Sequence, residues 1–279
     1  MKLPVFLNLG NTCYLNSVLQ CFIHNDNFKK IIDNGTTEMP FYNELQRITN
    51  IIDSNVNGEY MAFIHNLNNI LPFFPFKRFE QQDAHECILT FLDLLIQDNK
   101  THPFFKMYHG STRTSILCKK CNTVKNVHED FNSINLNIPI QQSSNVTDLF
   151  IKYLDTELYD SSDNLYFCET CNNLECYEKK VYLDILPEVF IVVLKRYTFT
   201  GSKIISDVSF HDNMVIKEHS TGEIKQYKLN SVINHIGNLY NGHYTNYISK
   251  NVLMHIDDEK IRVDESINNE NAYILFYNS

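Results

Sequence analysis

The chain has 279 residues, 43% hydrophobic and 13% aromatic, enough to bury a sizeable core as one large domain or two lobes. Its 24 basic and 33 acidic residues give a net charge of −9, which argues against a nucleic-acid surface and favours a basic partner. The longest strongly apolar block, Val189 to Leu194, is far too short to span a bilayer.

In chain order, the first informative stretch is GNTCYLNSVLQCF, Gly10 to Phe22. Leu15, Val18, Leu19 and Phe22 recur at i, i+3, i+4 and i+7, so a helix is expected directly after Cys13. Unpaired N–H groups and the macrodipole at a helix N-terminus favour a thiolate, which makes Cys13 a candidate nucleophile. A buried structural sulfur is the alternative. Phe63, Leu67, Ile70 and Leu71 form a second, weaker helical stripe, and Ala84, Cys87, Ile88, Phe91, Leu92 and Leu95 a third, clearer one. From about residue 110 the period shifts toward 2. STRTSIL, SINLNIPI, KKVYLDI, EVFIVVLKRY, QYKLNSVINHI, HYTNYIS and NAYILFY all read as strands. A helical lobe followed by an antiparallel sheet is an α+β arrangement, with a cleft between the lobes as the natural place for chemistry.

No leader of secretory type is read at the start, so the eight cysteines imply a reducing compartment: the cytoplasm, with the nucleus as alternative. Cys118-x2-Cys121 and, after 46 intervening residues, Cys168-x2-Cys171 supply four thiolates for a tetrahedral zinc joining two distant hairpins. Four protein ligands leave no open position for water, so such a zinc is structural. Four ordinary buried cysteines are the competing reading, and Cys176 is an alternative ligand or a bystander. A nucleophilic cysteine also needs a base and an oxyanion site. Of the eleven histidines, His243 stands out, because it follows a flexible Gly/Asn loop and opens an alternating aromatic strand. In HIDDEKIRV, Asp257 and Asp258 follow a strand-like break, and a strand–turn–strand unit would bring Asp257 beside His243. A satisfied surface histidine and a solvated Asp-Asp turn are the bland alternatives, and spacing alone leaves them open.

Several blocks together carry a resemblance over nearly the whole chain. NLGNTCYLNSVLQCF resembles the cysteine box of the ubiquitin-specific protease family, the papain-like deubiquitinases. GHYTNYI, preceded by Gly237, resembles the histidine box and IDD the acidic site after it. QQDAHECILTFLDLL, LKRY and the closing AYILFY match further blocks in the same order, and the paired knuckles fall where the family carries zinc-bound fingers. The resemblance implies a papain-like α+β cysteine protease: a helical thumb over about 1–105, a zinc-fingers insertion over about 106–188 and an antiparallel β palm over about 189–279.

By position it further implies Cys13 as nucleophile, His243 as base, Asp257 orienting His243, and Asn8 donating its side-chain amide to the oxyanion. Asp258 would support the same step or partly substitute for its neighbour. Asp83 and Glu86 are expected on the polar face of the third helix, with Asp83 pairing an arginine of the ubiquitin tail; ordinary solvated charges are the alternative. Gly242 and Tyr244, with Gly237, suit a narrow channel for a Gly-Gly tail. The cofactor implied is structural Zn2+; the partners are ubiquitin and ubiquitinated proteins, with no nucleic acid and no membrane, and the chain is expected to act as a monomer. The expected reaction is thiol-dependent hydrolysis of the (iso)peptide bond after the C-terminal glycine of ubiquitin. A catalytically weak ubiquitin-binding module and a protease for a ubiquitin-like modifier are the alternatives, and intact Cys13, His243, Asp257 and Asn8 argue against the first. Two departures stand out: Asn241 precedes Gly242 where the family commonly has Gly or Ser beside it, and LMHIDD lacks the usual aromatic. The cysteine box begins at residue 8, which suggests a nearly bare catalytic domain.

Overall fold

The computed structural model describes residues 5–34, 39–54, 67–97, 100–239 and 241–279, without the side chains of 51–54. Helix α1, Cys13–Ile23, forms where its apolar spacing predicts, and all eleven of its residues are buried. Two helices follow that the apolar stripes did not single out, α2, Asp26–Asn34, and α3, Pro40–Ser54. The Asn25 side-chain oxygen accepts from the backbone N–H of Asn27 and Phe28, which closes the first turn of α2. Of the second expected stripe, Phe63 lies outside the described residues; residues 67–70 are helical, with Leu67 and Ile70 buried. Helix α4, Ala84–Ile96, buries the predicted stripe from Ala84 to Leu95. It stacks on α1 through Phe22 and Phe91, whose ring centroids lie 4.3 Å apart. Helices α5, Pro103–Tyr108, and α6, Val146–Leu154, follow.

The strands begin with β1, Gly110–Cys118, β2, Val124–Phe131, β3, Ile134–Asn137, β4, Ser144–Asn145, and β5, Glu157–Tyr159. They continue with β6, Tyr166–Cys168, β7, Asn173–Glu175, β8, Tyr177–Ile185, β9, Val189–Lys195, and β10, Val208–Ser209. The palm then adds β11, Asn213–Lys217, β12, Ile224–Gly237, β13, Gly242–Ser249, β14, Leu253–Asp257, β15, Lys260–Val263, and β16, Ala272–Asn278. The fingers sheet runs β2-β1-β8-β5, and the palm sheet runs β15-β14-β13-β12-β16-β9-β3 with β11 on β12. β3 pairs with β9 in parallel, the one parallel pairing within the palm among the described residues. It lies within the 106–188 interval, so part of that interval belongs to the palm sheet; Ile134 and Leu136 point into the palm core.

Strand β9, paired with β16 on one side and β3 on the other, explains the run VFIVVL. Val189, Ile191 and Val193 face the thumb helices, whereas Phe190, Val192 and Leu194 face a second core with α6. Buried on both faces, the strand reads as continuous apolar sequence rather than alternation. One end of the palm is fixed by Arg196 of LKRY. It is 1% exposed and donates to the carbonyls of Ala272, Ile204, Ser206 and Asn269. Among the described residues, no helix is long and apolar enough to cross a membrane.

Candidate active site

Cys13 opens α1 and is 3% exposed. No side chain caps that helix: the Thr12 hydroxyl accepts from Leu9 N–H at 2.9 Å instead, so the partial positive charge of the first turn stays directed at the sulfur. Asn8 curls back over the same turn, its side-chain oxygen accepting from Thr12 N–H at 3.0 Å. The asparagine amide is thereby aimed near the helix mouth.

His243 lies near the start of β13, opposite Ile236 of β12. Asp257 ends β14, and its Oδ1 stands 2.6 Å from His243 Nε2. With Nε2 engaged, Nδ1 is the ring nitrogen left for the sulfur. The His243 pKa is raised from 6.5 to about 9, first by the hydrogen bond to Cys13. Desolvation opposes the shift, while Asp257 and the Asp258 charge add to it. An imidazolium beside sulfur is therefore favoured at neutral pH.

Asp258 follows in the tight β14–β15 turn with φ of 50°, a left-handed conformation that Asp tolerates. Its carboxylate is turned inward and buried. Oδ2 accepts from Asn8 Nδ2 at 3.0 Å and Oδ1 from Asn16 Nδ2 at 2.7 Å, while Oδ2 lies 4.0 Å from His243 Nε2. Burial pushes its pKa up, and the two asparagine bonds and His243 pull it back. The two neighbouring aspartates thus face different partners, Asp257 the imidazole and Asp258 the Asn8 amide. The arrangement combines a thiol, an imidazole, an orienting carboxylate and a tethered amide donor, the parts needed for acyl transfer through sulfur.

The remaining predicted residues fall nearby. Asp83 is not on the polar face of α4: it is the N-cap, and its Oδ1 accepts from His85 and Glu86 N–H. Its other oxygen accepts from Tyr273 OH at 2.7 Å. The helix-period pattern missed this because the cap lies one residue outside the helix. Glu86 is exposed in the first turn of α4. Tyr244 is buried, its hydroxyl accepting from Ala84 N–H at 3.4 Å and its ring 4.6 Å from that of His235. Gly242 sits directly on that histidine: a Cβ there would come within 2.0 Å of His235 Nε2. Gly237, at φ of 119°, lies opposite it across the hairpin. Asn16, Tyr273 and Gln81 were not singled out in the sequence. Only Asn16 left a signal, as an amide one turn after Cys13 on a mostly apolar helix.

In the fingers, Cys118 ends β1 and Cys168 ends β6, and each is followed by a knuckle turn carrying the second cysteine. Asn122 and Asn172, directly after Cys121 and Cys171, both adopt left-handed φ, 59° and 50°. This folds each sulfur pair inward. Cys118–Cys171 and Cys121–Cys168 sulfurs are 3.9 and 3.6 Å apart, and all four lie within 4.8 Å of one another. A tetrahedron with Zn–S bonds of about 2.3 Å places sulfurs about 3.8 Å apart, so the cluster fits a four-thiolate metal site. Cys176 is outside it, its sulfur 3.9 Å from the Asp160 carbonyl.

Comparison with known proteins fits this geometry. The ubiquitin carboxyl-terminal hydrolase family model matches residues 6–277. Ubiquitin carboxyl-terminal hydrolase 20 of Arabidopsis thaliana is 28% identical, covering 97% of this chain and 42% of that protein. Ubiquitin carboxyl-terminal hydrolase 17-like protein A of Mus musculus is 28% identical, covering 97% of this chain and 55% of that one. The chain thus spans about half the length of the curated relatives it matches. The solved SAGA Ubp8/Sgf11/Sus1/Sgf73 DUB module bound to ubiquitin aldehyde superposes with a TM-score of 0.83 at 23% identity, covering 99% of this chain and 69% of that chain. A yeast SAGA DUB module with an Sgf73 variant gives 0.80 at 23%, over 99% and 68% of the two chains. These likenesses establish the thumb, palm and fingers fold. By the match along nearly its whole length, the chain belongs to the ubiquitin carboxyl-terminal hydrolase family.

Proposed function

We propose that this chain is a deubiquitinase that hydrolyses the (iso)peptide bond after the C-terminal glycine of ubiquitin. The observation that carries the reading is the series Cys13, His243 and Asp257, with Asn8 held at the mouth of α1. In it the Cys13 thiolate attacks the terminal glycine carbonyl, and the carbonyl oxygen takes up negative charge. Asn8 spends one amide hydrogen on Asp258 and has the second for that oxyanion. The tetrahedral intermediate collapses as the His243 imidazolium gives its proton to the leaving lysine amine. A thioester to Cys13 and a free amine result. Water then attacks the thioester, His243 takes its proton, and ubiquitin leaves with its carboxylate while the thiolate–imidazolium pair is restored. Asp257 holds the imidazole in the tautomer that keeps Nδ1 toward the sulfur.

Ubiquitin and ubiquitinated proteins are the proposed partners. Net charge −9 suits a ubiquitin that presents a basic face, and Glu86 stands exposed beside the cleft to meet it. Asp83 is already engaged with the α4 amides and Tyr273, so a role toward a tail arginine would use the Oδ2 side. Cys118, Cys121, Cys168 and Cys171 would hold a structural Zn2+ that ties the β1–β2 hairpin to the β6–β7 hairpin. We place the working enzyme as a monomer in the cytoplasm, a reducing compartment that keeps its eight cysteines out of disulfides. The test is hydrolysis of a ubiquitin-amide reporter beside a panel of C-terminal electrophile probes built on ubiquitin and on ubiquitin-like modifiers. Turnover of the reporter and labelling by the ubiquitin probe are expected. Labelling by a ubiquitin-like probe alone would reassign the substrate, and binding without turnover would make the chain a ubiquitin-binding module.

A further inference from the structure

The start of β13 is an uncovered strand edge. β14 pairs with Asn246–Ser249, so among the described residues the stretch from Gly242 to Thr245 has no neighbouring strand on that side. Gly242 is the residue next to His243, and the contact with His235 bars a side chain from it. Its backbone is therefore bare beside the catalytic imidazole.

That edge is capped from the opposite wall of the cleft. Gln81, in the segment leading into α4, accepts from Gly242 N–H with Oε1 at 2.7 Å and donates from Nε2 to Gly242 C=O at 2.7 Å. Two residues facing each other in an antiparallel ladder exchange this same reciprocal pair of bonds. A carboxamide, with one acceptor and one donor side by side, reproduces what one residue of an added strand would present. The segment carrying it is anchored to the cysteine loop, where Asn11 Nδ2 donates to Phe79 O at 2.6 Å. The Gln81 bridge thus spans the gap between the wall that carries Cys13 and the strand that carries His243. Gln81 itself is exposed, so nothing in the core depends on it.

We propose that Gln81 is a substrate-mimicking latch. Its carboxamide occupies on Gly242 the hydrogen-bond pair that an extended, side-chain-free peptide tail takes, and the tail enters by displacing it. This rests on the deubiquitinase reading, in which the entering tail ends in Gly-Gly. Displacement trades two hydrogen bonds for two, so only a chain that can add as a strand at this edge recovers the cost of opening. A tail with a bulky residue at this point, or a free amine with no peptide group, does not. The latch charges its cost to binding, because once the tail is seated Gln81 is no longer on Gly242. It is a positioning and selectivity residue rather than a catalytic one.

The experiment compares wild type with Gln81→Ala and the near-isosteric Gln81→Met on a ubiquitin-amide reporter, with amide hydrogen exchange read at Gly242. Both variants should lower KM by about three- to tenfold and leave kcat within about twofold, the size of one or two modest exposed hydrogen bonds expressed as a population of open state. Gly242 exchange should be faster in both variants than in wild type without ubiquitin. In a Cys13→Ala background saturated with ubiquitin it should become slow whether or not Gln81 is present. A KM that is unchanged or raised, a kcat that falls more than KM, or a Gly242 amide indifferent to Gln81 would overturn the latch while wild-type turnover stands. If wild type does not turn over the reporter, the functional reading fails by itself, and the exchange comparison still decides whether Gln81 caps Gly242.

Discussion

Replacing Asp258 with alanine removes an acceptor from two asparagines, with unequal consequences. Asn16 keeps other partners, since its amide also reaches the carbonyls of Leu7 at 3.2 Å and Phe6 at 3.4 Å. Asn8 loses the acceptor for its Nδ2 and, among the described residues, retains the bond from Thr12 N–H to its oxygen. Removing an oxyanion donor outright costs about 10²–10³-fold in kcat. Loosening one without removing it should cost less, about tenfold to a hundredfold. Asp257→Ala should be worse, because it releases the 2.6 Å hold on His243, and loss of the orienting carboxylate in such a triad costs up to about 10⁴-fold. The assay is steady-state hydrolysis of a ubiquitin-amide reporter by Asn8→Ala, Asp258→Ala and the double variant. If Asp258 acts through Asn8, the double variant is no slower than Asn8→Ala alone. Effects that multiply, or Asp258→Ala slower than Asp257→Ala, would refute the division of labour and give Asp258 the direct role on His243.

Four further outcomes follow from the structure. His243 is raised to about 9 by its bond to the Cys13 sulfur, with Asp257 adding, so kcat/KM should fall as pH rises through about 9; Asp257→Asn should move that limb to lower pH. Because this folded pKa lies above the ordinary 6.5, the linked stability is fully present below about 6.5 and lost through about 9, measurable as Tm against pH in wild type and His243→Ala. Metal analysis should find one zinc per chain, and Cys121→Ser should lower Tm and ubiquitin affinity while alkylation of Cys13 by a small reagent stays nearly unchanged, since the core around Cys13 is built by thumb and palm residues and takes none from the fingers sheet. Arg196→Ala should cost about 3–5 kcal/mol in denaturant unfolding, because it strips donors from four carbonyls around a buried site.

Where a residue's burial follows one period, the sequence was readable. The stripes after Cys13 and after Asp83 became α1 and α4, and the alternation beginning at His243 became β13. β2 was not legible, because VKNVHEDF is exposed along nearly its whole length and is held by ladder bonds to β1 alone. Pattern reading sees burial, and this strand has almost none. The triad elements could be named because each sits in a distinctive local motif. Their mutual distances could not, since Asn8 and Asp258 are 250 residues apart in sequence and meet only through the packing of α1 against the palm. Gln81 was invisible for the same reason: an exposed glutamine gains its meaning from Gly242, 161 residues away. Asp83 was misassigned because a cap shares the helix's neighbourhood but not its periodicity.

The central claim is that Cys13, activated by His243, attacks the C-terminal carbonyl of ubiquitin. Its most direct test is reaction with ubiquitin carrying a C-terminal electrophile, followed by peptide mapping of the adduct and the labelling rate in wild type, Cys13→Ala and His243→Ala. The account predicts one adduct, on Cys13, absent from Cys13→Ala and formed far more slowly by His243→Ala. An adduct on another cysteine, or a labelling rate indifferent to His243, would contradict it.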